Sequence, residues 1–233
     1  MYTRPTANRT CASCFAPAAL LLWVLWAAVL PHPASATPST LIWIPSGDVQ
    51  PSGTVHAGID DYFGRHGGHV PADFGITFGV RRAEIGVDVL SGADDVFLNA
   101  KLLVAPETRR RPQIAFGAYG LALTSAAPDY NMLYLIGAKT FPWGRVHLGL
   151  LRGSRAALGP DNVMLLAGVE RQLSDKWWAA IDYQSGDSAF GAFSFGVAYT
   201  LRPGLSVLVG WDWYNADDSE DTLTVQLDWQ WPR

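Results

Sequence analysis

From Thr54 onward the chain repeats with a period of two. Val55, Ala57, Ile59 and Phe63 alternate with His56, Gly58, Asp60 and Tyr62. Ile85, Val87 and Val89 alternate with Glu84, Gly86 and Asp88, and Val96, Leu98 and Ala100 with Phe97, Asn99 and Lys101. The same beat returns in residues 205–213 and 223–231. Extended backbone sends successive side chains to opposite faces, so each segment has one apolar and one mixed face. About twelve segments of roughly 8–12 residues follow, the length a tilted strand needs to cross a bilayer. They lie near residues 54–64, 73–81, 83–90, 95–105, 113–123, 131–140, 145–152, 162–171, 176–184, 190–201, 205–214 and 222–231.

The connections alternate as well. One set is tight: 81–82, 141–144, 173–176 and 202–204, with 106–112 the longest. The other is mostly longer, Gly-rich or acidic: 64–72, 91–94, 124–130, 153–161, 185–189 and 215–221. Short turns on one rim and long loops on the other predict an all-β fold: a transmembrane antiparallel up-and-down β-barrel of about 12 strands, with 10 or 14 the neighbouring even counts. With the N-terminus on the periplasmic side, the tight turns lie on the periplasmic rim. The acidic loop with Asp217, Asp218, Glu220 and Asp221 then faces outward.

A soluble sandwich and a lipocalin-like barrel also alternate. Three features favour the bilayer. Aliphatic residues run over full-length strands. Aromatic residues gather near strand ends: Tyr62, Phe63, Phe141, Trp143, Trp177, Trp178, Phe190, Tyr199, Trp211, Trp213, Trp229 and Trp231. Such girdles suit the two membrane interfaces. The mixed face carries Gly, Ala and scattered acids, which suits a wet lumen.

Composition agrees with this reading. Of 233 residues, 49% are hydrophobic and only 16% charged, with ten Trp. That apolar content excludes a disordered chain. The formal charge of −4 excludes the basic stripe of a nucleic-acid binder. Residues 1–36 form a secretory signal peptide: Arg4 and Arg9, an unbroken apolar run over 18–30, and the small-residue site Ala34-Ser35-Ala36. Cleavage after Ala36 removes two arginines and no acid, taking the charge from −4 to −6. It also removes Cys11 and Cys14, so no disulfide or Cys-based metal site is expected. Residues 37–53 are an N-terminal lead segment with the motif LIWIP at 41–45. It reads as a periplasmic cap, a short extra pairing or a plug, with a loosely held lead-in the plainest reading. Residues 54–231 are the barrel.

The mature chain resembles a Gram-negative outer-membrane β-barrel of the small porin-like kind. The resemblance rests on the signal peptide, the alternating strands and the last strand, TVQLDWQW over 224–231. That strand is similar to the barrel-assembly signal, though Pro232-Arg233 follows where the pattern ends on the aromatic. The resemblance implies outer-membrane lipid and the barrel-assembly machinery as partners, and the bacterial outer membrane as location. It names no solute and fixes no oligomeric state.

Chemistry is expected on the mixed face. The pore-lining candidates are Asp60, Glu84, Asp88, Asn99, Lys101, Lys139, His147, Glu170, Asp182, Asp212 and Asp228. Rings of carboxylates favour cations in a pore, whereas opposite charges on neighbouring strands pair and fill the lumen. Glu84 and Asp88 beside Asn99 and Lys101, and His147 beside Glu170, fit the second arrangement, and a structural network is the commoner use of such groups. Two histidines, His66 and His69, are weak metal candidates on a loop, where spacing fixes no geometry. No cofactor motif, GxSxG or HExxH occurs. Three functions are therefore carried forward. The first is a narrow porin-like channel for small cationic or neutral solutes. The second is a structural or interaction barrel that uses its acidic loops. The third is an outer-membrane lipid hydrolase with His147 as base.

Overall fold

The structure, a computed structural model, describes residues 39–64, 69–91, 96–123, 130–188 and 190–232. The expected signal peptide and His66 lie outside the described residues. Twelve strands follow in chain order: β1 Thr54–Gly64, β2 His69–Val80, β3 Ala83–Leu90, β4 Val96–Ala105, β5 Gln113–Ala122, β6 Met132–Phe141, β7 Gly144–Arg152, β8 Val163–Gln172, β9 Trp177–Gln184, β10 Ala192–Arg202, β11 Leu205–Tyr214 and β12 Thr222–Pro232. Each pairs antiparallel with its sequence neighbours, and β1 closes on β12 from Thr54↔Pro232 to Gly64↔Thr222. Closure leaves no open sheet edge, as a bilayer requires.

The two phases of the alternation separate cleanly. Ile85, Leu102, Leu135, Leu148, Leu150 and Ile181 are each 50–60% exposed on the outer surface. Exposed large hydrophobic side chains recur on every strand, which is stable only against lipid. The opposite phase is buried: Thr222, Thr224, Gln226 and Asp228 on β12 are all at most 2% exposed. Aromatics split between the two. Phe63, Phe141, Trp143, Trp177, Trp213 and Trp229 are exposed at strand ends. Tyr62 and Phe190, expected in the girdles, instead face an internal cavity, and Trp178 is 3% exposed against Glu170.

Two local departures have physical causes. Strand β2 begins at His69, inside the expected 64–72 loop, because a register shift between Asp60 and Tyr62 lets pairing resume at Tyr62↔Val70 and Phe63↔His69. Pro71 falls in that irregularity, where its missing N–H breaks no ladder bond. The loop after β7 holds one helical turn, α1 Arg155–Leu158, capped by Ser154, whose hydroxyl accepts from the Ala157 N–H. Gly204 makes the β10–β11 turn at φ +77, and its carbonyl accepts from Gln230 N–H at 2.7 Å.

Residues 39–50 occupy the lumen. Thr40 bridges to Pro45 and Ser46 N–H donates to Ser39, so residues 39–46 fold as a hairpin with its tip at 41–44. The segment enters at the tight-turn rim, where Gly53 N–H donates to Gly79. Leu41, Ile42 and Ile44 are 0–3% exposed and pack with Ile136, Leu166 and Leu208 from the barrel wall. Each buried aliphatic chain contributes about 2 kcal/mol to holding the hairpin. The lumen is thus divided. A dry core fills the side facing β6 to β11, and a cavity lies on the side facing β12 and β1 to β6.

Candidate functional site

The hairpin is held by polar side chains that the sequence marked as pore-lining. The Asp182 carboxylate accepts from Ile42 N–H at 2.8 Å and Trp43 N–H at 3.0 Å, with Ile44 N–H at 3.5 Å. A carboxylate suits this role because it caps several free N–H groups at a tight turn. Lys101, 2% exposed, donates to the Ser39 and Asp48 carbonyls at 2.8 and 2.7 Å and pairs with Glu84 at 3.2 Å. Glu84 in turn accepts from Gln50 N–H. His147, fully buried, accepts the Gly47 N–H on Nδ1 at 3.0 Å. Its proton therefore sits on Nε2, which donates to Glu170 at 3.0 Å. Glu170 also accepts from the Trp178 indole at 2.6 Å.

These contacts define what His147 can do. Both ring nitrogens are engaged by Gly47 and Glu170, and neither partner is a hydroxyl nucleophile. Asp48, His147 and Glu170 bring one ligand atom each within 4.8 Å of one another. Arg145 already supplies positive charge there, 2.9 Å from Asp48 and 3.9 Å from Glu170. The group is an ion-pair network around the hairpin's base. Arg145 carried no signal in the sequence because it follows a tight turn.

Lys139 is a correction. It shares the outward phase of β6 with Leu133 and Leu135, which are 48% and 53% exposed. Its ammonium does not line the lumen but folds back over the rim to Glu107 at 3.0 Å and the Thr108 carbonyl at 2.6 Å. Arg145 and the Thr140 hydroxyl also bind Glu107. Burial alone would raise the Glu107 carboxyl. Hydrogen bonds from Thr140 N–H, Lys139, Arg145 and the Thr140 hydroxyl outweigh it and hold the group at about 2. His69 opens β2, and its side chain, like His66, falls outside what is described.

The remaining candidates gather around a cavity of about 600 Å³. It reaches the long-loop rim at Ser219 and Glu220 and is bordered along its length by the hairpin from Ser39 to Pro45. Six carboxylate side chains line it: Asp60, Asp73, Glu84, Asp88, Glu220 and Asp228. Among the described residues no Lys or Arg does so. Of these, Glu84 is paired with Lys101, and Asp228 with His56 Nε2 at 3.0 Å. Asp88 accepts from Asn99, whose own carbonyl oxygen accepts from Gly120 N–H at 3.1 Å. Asp212, fully buried, lies off the cavity and accepts from the Thr222 hydroxyl at 3.2 Å.

Glycines set the shape of the acidic wall. The register aligns Asp228, Gly58, Gly75 and Asp88 in one row across β12, β1, β2 and β3. A β-carbon on Gly75 would stand 2.8 Å from the Asp88 carboxylate. The glycines give the carboxylates room to lie along the wall. Asp60 and Asp73 pair directly one row further toward the loops.

The opposite wall is aromatic. Tyr119 and Tyr134 approach at 5.8 Å, and Tyr134 lies over Gly117, where a β-carbon would overlap its ring. Trp43 rises from the hairpin tip between Tyr62 at 5.6 Å and Tyr214 at 5.3 Å, its indole donating to the Phe190 carbonyl at 2.8 Å. Tyr119, Tyr134 and Tyr214 escaped sequence reading as site residues. Continuing the alternation through β5, β6 and β11 would have put all three tyrosines on the inner phase.

The closed barrel and its apolar outer belt are the architecture of a transmembrane β-barrel. Among solved structures it is similar in fold to one described as "KdgM porin", with a TM-score of 0.51 and 12% identity over 77% of this chain and 99% of that one. No family model matches the chain, and no curated protein matches it.

Proposed function

We propose that this is an outer-membrane porin-type barrel that admits small cationic or neutral solutes from the long-loop side into an acidic vestibule. One observation carries the reading: a cavity of about 600 Å³ inside a closed barrel, lined by six carboxylates and by no Lys or Arg among the described residues. Carboxylates set in low-dielectric walls focus their field into the enclosed space and raise the local concentration of cations. The similarity in fold to a protein described as a porin supports passage as the use of that space. The lumen hairpin runs beside this space, so its displacement would widen the path to the tight-turn rim. Export through the 1–36 signal peptide and insertion by the assembly machinery through the last strand belong to the same reading.

The test is the reversal potential of the purified barrel in a planar bilayer under a potassium chloride gradient. Potassium preference is expected, weakened when Asp60→Asn and Asp73→Asn are combined. Chloride preference, or no conductance at any voltage, contradicts the proposal.

A further inference from the structure

The vestibule has two chemically distinct walls, and together they describe a ligand. The first is negative. Asp60 and Asp73 face each other across β1 and β2, with Asp88 beside them on β3. Asp73 Oδ1 has no hydrogen-bond partner among the described residues. Asp228, 2% exposed and lining the same cavity, uses Oδ1 for His56, while its Oδ2 is likewise without a partner. Buried carboxylate oxygens left unpaired are costly, and a cation entering the cavity relieves that cost. Lys101, which could have served from the wall, is turned away to the hairpin's carbonyls.

The second wall is aromatic. Tyr119 and Tyr134 stand on β5 and β6, and Trp43, Tyr62 and Tyr214 close the hairpin side. Ring faces attract a positively charged group and also accept an apolar body. An inorganic cation, strongly hydrated and small, gains little from such a wall. An organic ammonium uses both walls at once. The volume falls within the usual range for small-molecule sites, roughly 300–1,000 Å³.

We infer that the vestibule is a stoichiometric binding site for an organic ammonium ion carrying an apolar substituent. Its charged end sits at Asp60 and Asp73 and its apolar body against Tyr119 and Tyr134. This deepens the cation-admitting reading above by naming the solute class, and it rests on that reading.

Three probes share one apolar body: 2-phenylethylammonium, 2-phenylethanol and phenylacetate. Each is titrated calorimetrically into the full-length barrel in detergent, with empty micelles as the blank. The ammonium is expected to bind saturably at one per barrel. The alcohol is expected to bind at least about tenfold more weakly, and the carboxylate not at all. Asp60→Asn combined with Asp73→Asn is expected to cost at least about tenfold in ammonium affinity, and Tyr119→Leu a smaller loss. Asp217→Asn, on the exposed outer loop, leaves affinity unchanged. Heat-modifiable migration in a gel certifies that each variant barrel is folded, and Asp73→Asn alone serves if the double variant is not. Equal binding of ammonium and alcohol, or no saturable ammonium binding to the folded barrel, overturns the site. Bilayer recordings of the same preparation separate the two ideas. Conductance without ammonium binding removes the site and leaves the channel. Ammonium binding without conductance removes the channel and leaves the site.

Discussion

Glu107 sits on the tight-turn rim and ties the β4–β5 connection to β6 and β7 through Lys139, Thr140 and Arg145. Its folded value of about 2 lies below the usual 4.5, so its contribution to stability is complete above 4.5 and is lost as pH falls through about 2. The urea midpoint of the barrel should therefore fall more steeply across that window in the native protein than in Glu107→Gln. Identical pH profiles would show that the rim network adds nothing. Asp182 makes a second, independent case. Its carboxylate gathers the N–H groups of the hairpin tip, and charge-assisted hydrogen bonds of this kind are worth about 3 kcal/mol when the acceptor is removed. Asp182→Ala should free the tip and speed hydrogen exchange at Ile42 and Trp43, with the barrel amides unchanged. Protection that survives the substitution would place the anchoring elsewhere. Of the residues marked in the sequence, Asp60, Asp88 and Asp228 reach the vestibule, Lys101, His147 and Asp182 hold the hairpin, and Glu84 does both. Spacing along one strand could not tell these roles apart, because both groups stand on the same inner phase.

The hairpin is the element that the sequence disclosed least. Residues 41–45 are apolar and flanked by Pro and Gly, a composition equally suited to a cap, an extra strand or a plug. What seats it is contributed by distant strands: Gly168, Gly196 and Gly210 leave a notch in the wall for Leu41 and Ile42. A β-carbon on Gly168 would overlap the Leu41 side chain and stand 3.3 Å from Ile44 Cδ1. Gly168→Val should thus loosen the hairpin by about 1–3 kcal/mol without opening the barrel, read as faster exchange at 41–44 and an intact far-ultraviolet spectrum. Unchanged exchange would mean that the notch is not the seat. The strands themselves were legible wherever one face is polar, as in β1, β3, β11 and β12. In β6 to β8 both phases are apolar, with Leu135 outside and Ile136 inside, or Leu165 outside and Leu166 inside. Periodicity therefore located these strands without revealing that their inner face is dry core.

At the scale of the whole molecule, alternation, turn lengths and the terminal strand were enough for a twelve-stranded membrane barrel. They could not disclose a divided lumen, because the division comes from a segment that folds back inside and not from the wall. The functional account joins those two parts: an acidic, aromatic vestibule reaching the long loops, and a hairpin that narrows the lumen beside it. The most direct measurement is the single-channel conductance of the full-length barrel beside that of a barrel lacking residues 39–50, both shown to be folded by heat-modifiable migration. The full-length protein should give rare, small steps, and the shortened one stable, larger, cation-preferring openings. Indistinguishable conductance from the two would contradict the claim that the hairpin governs the path.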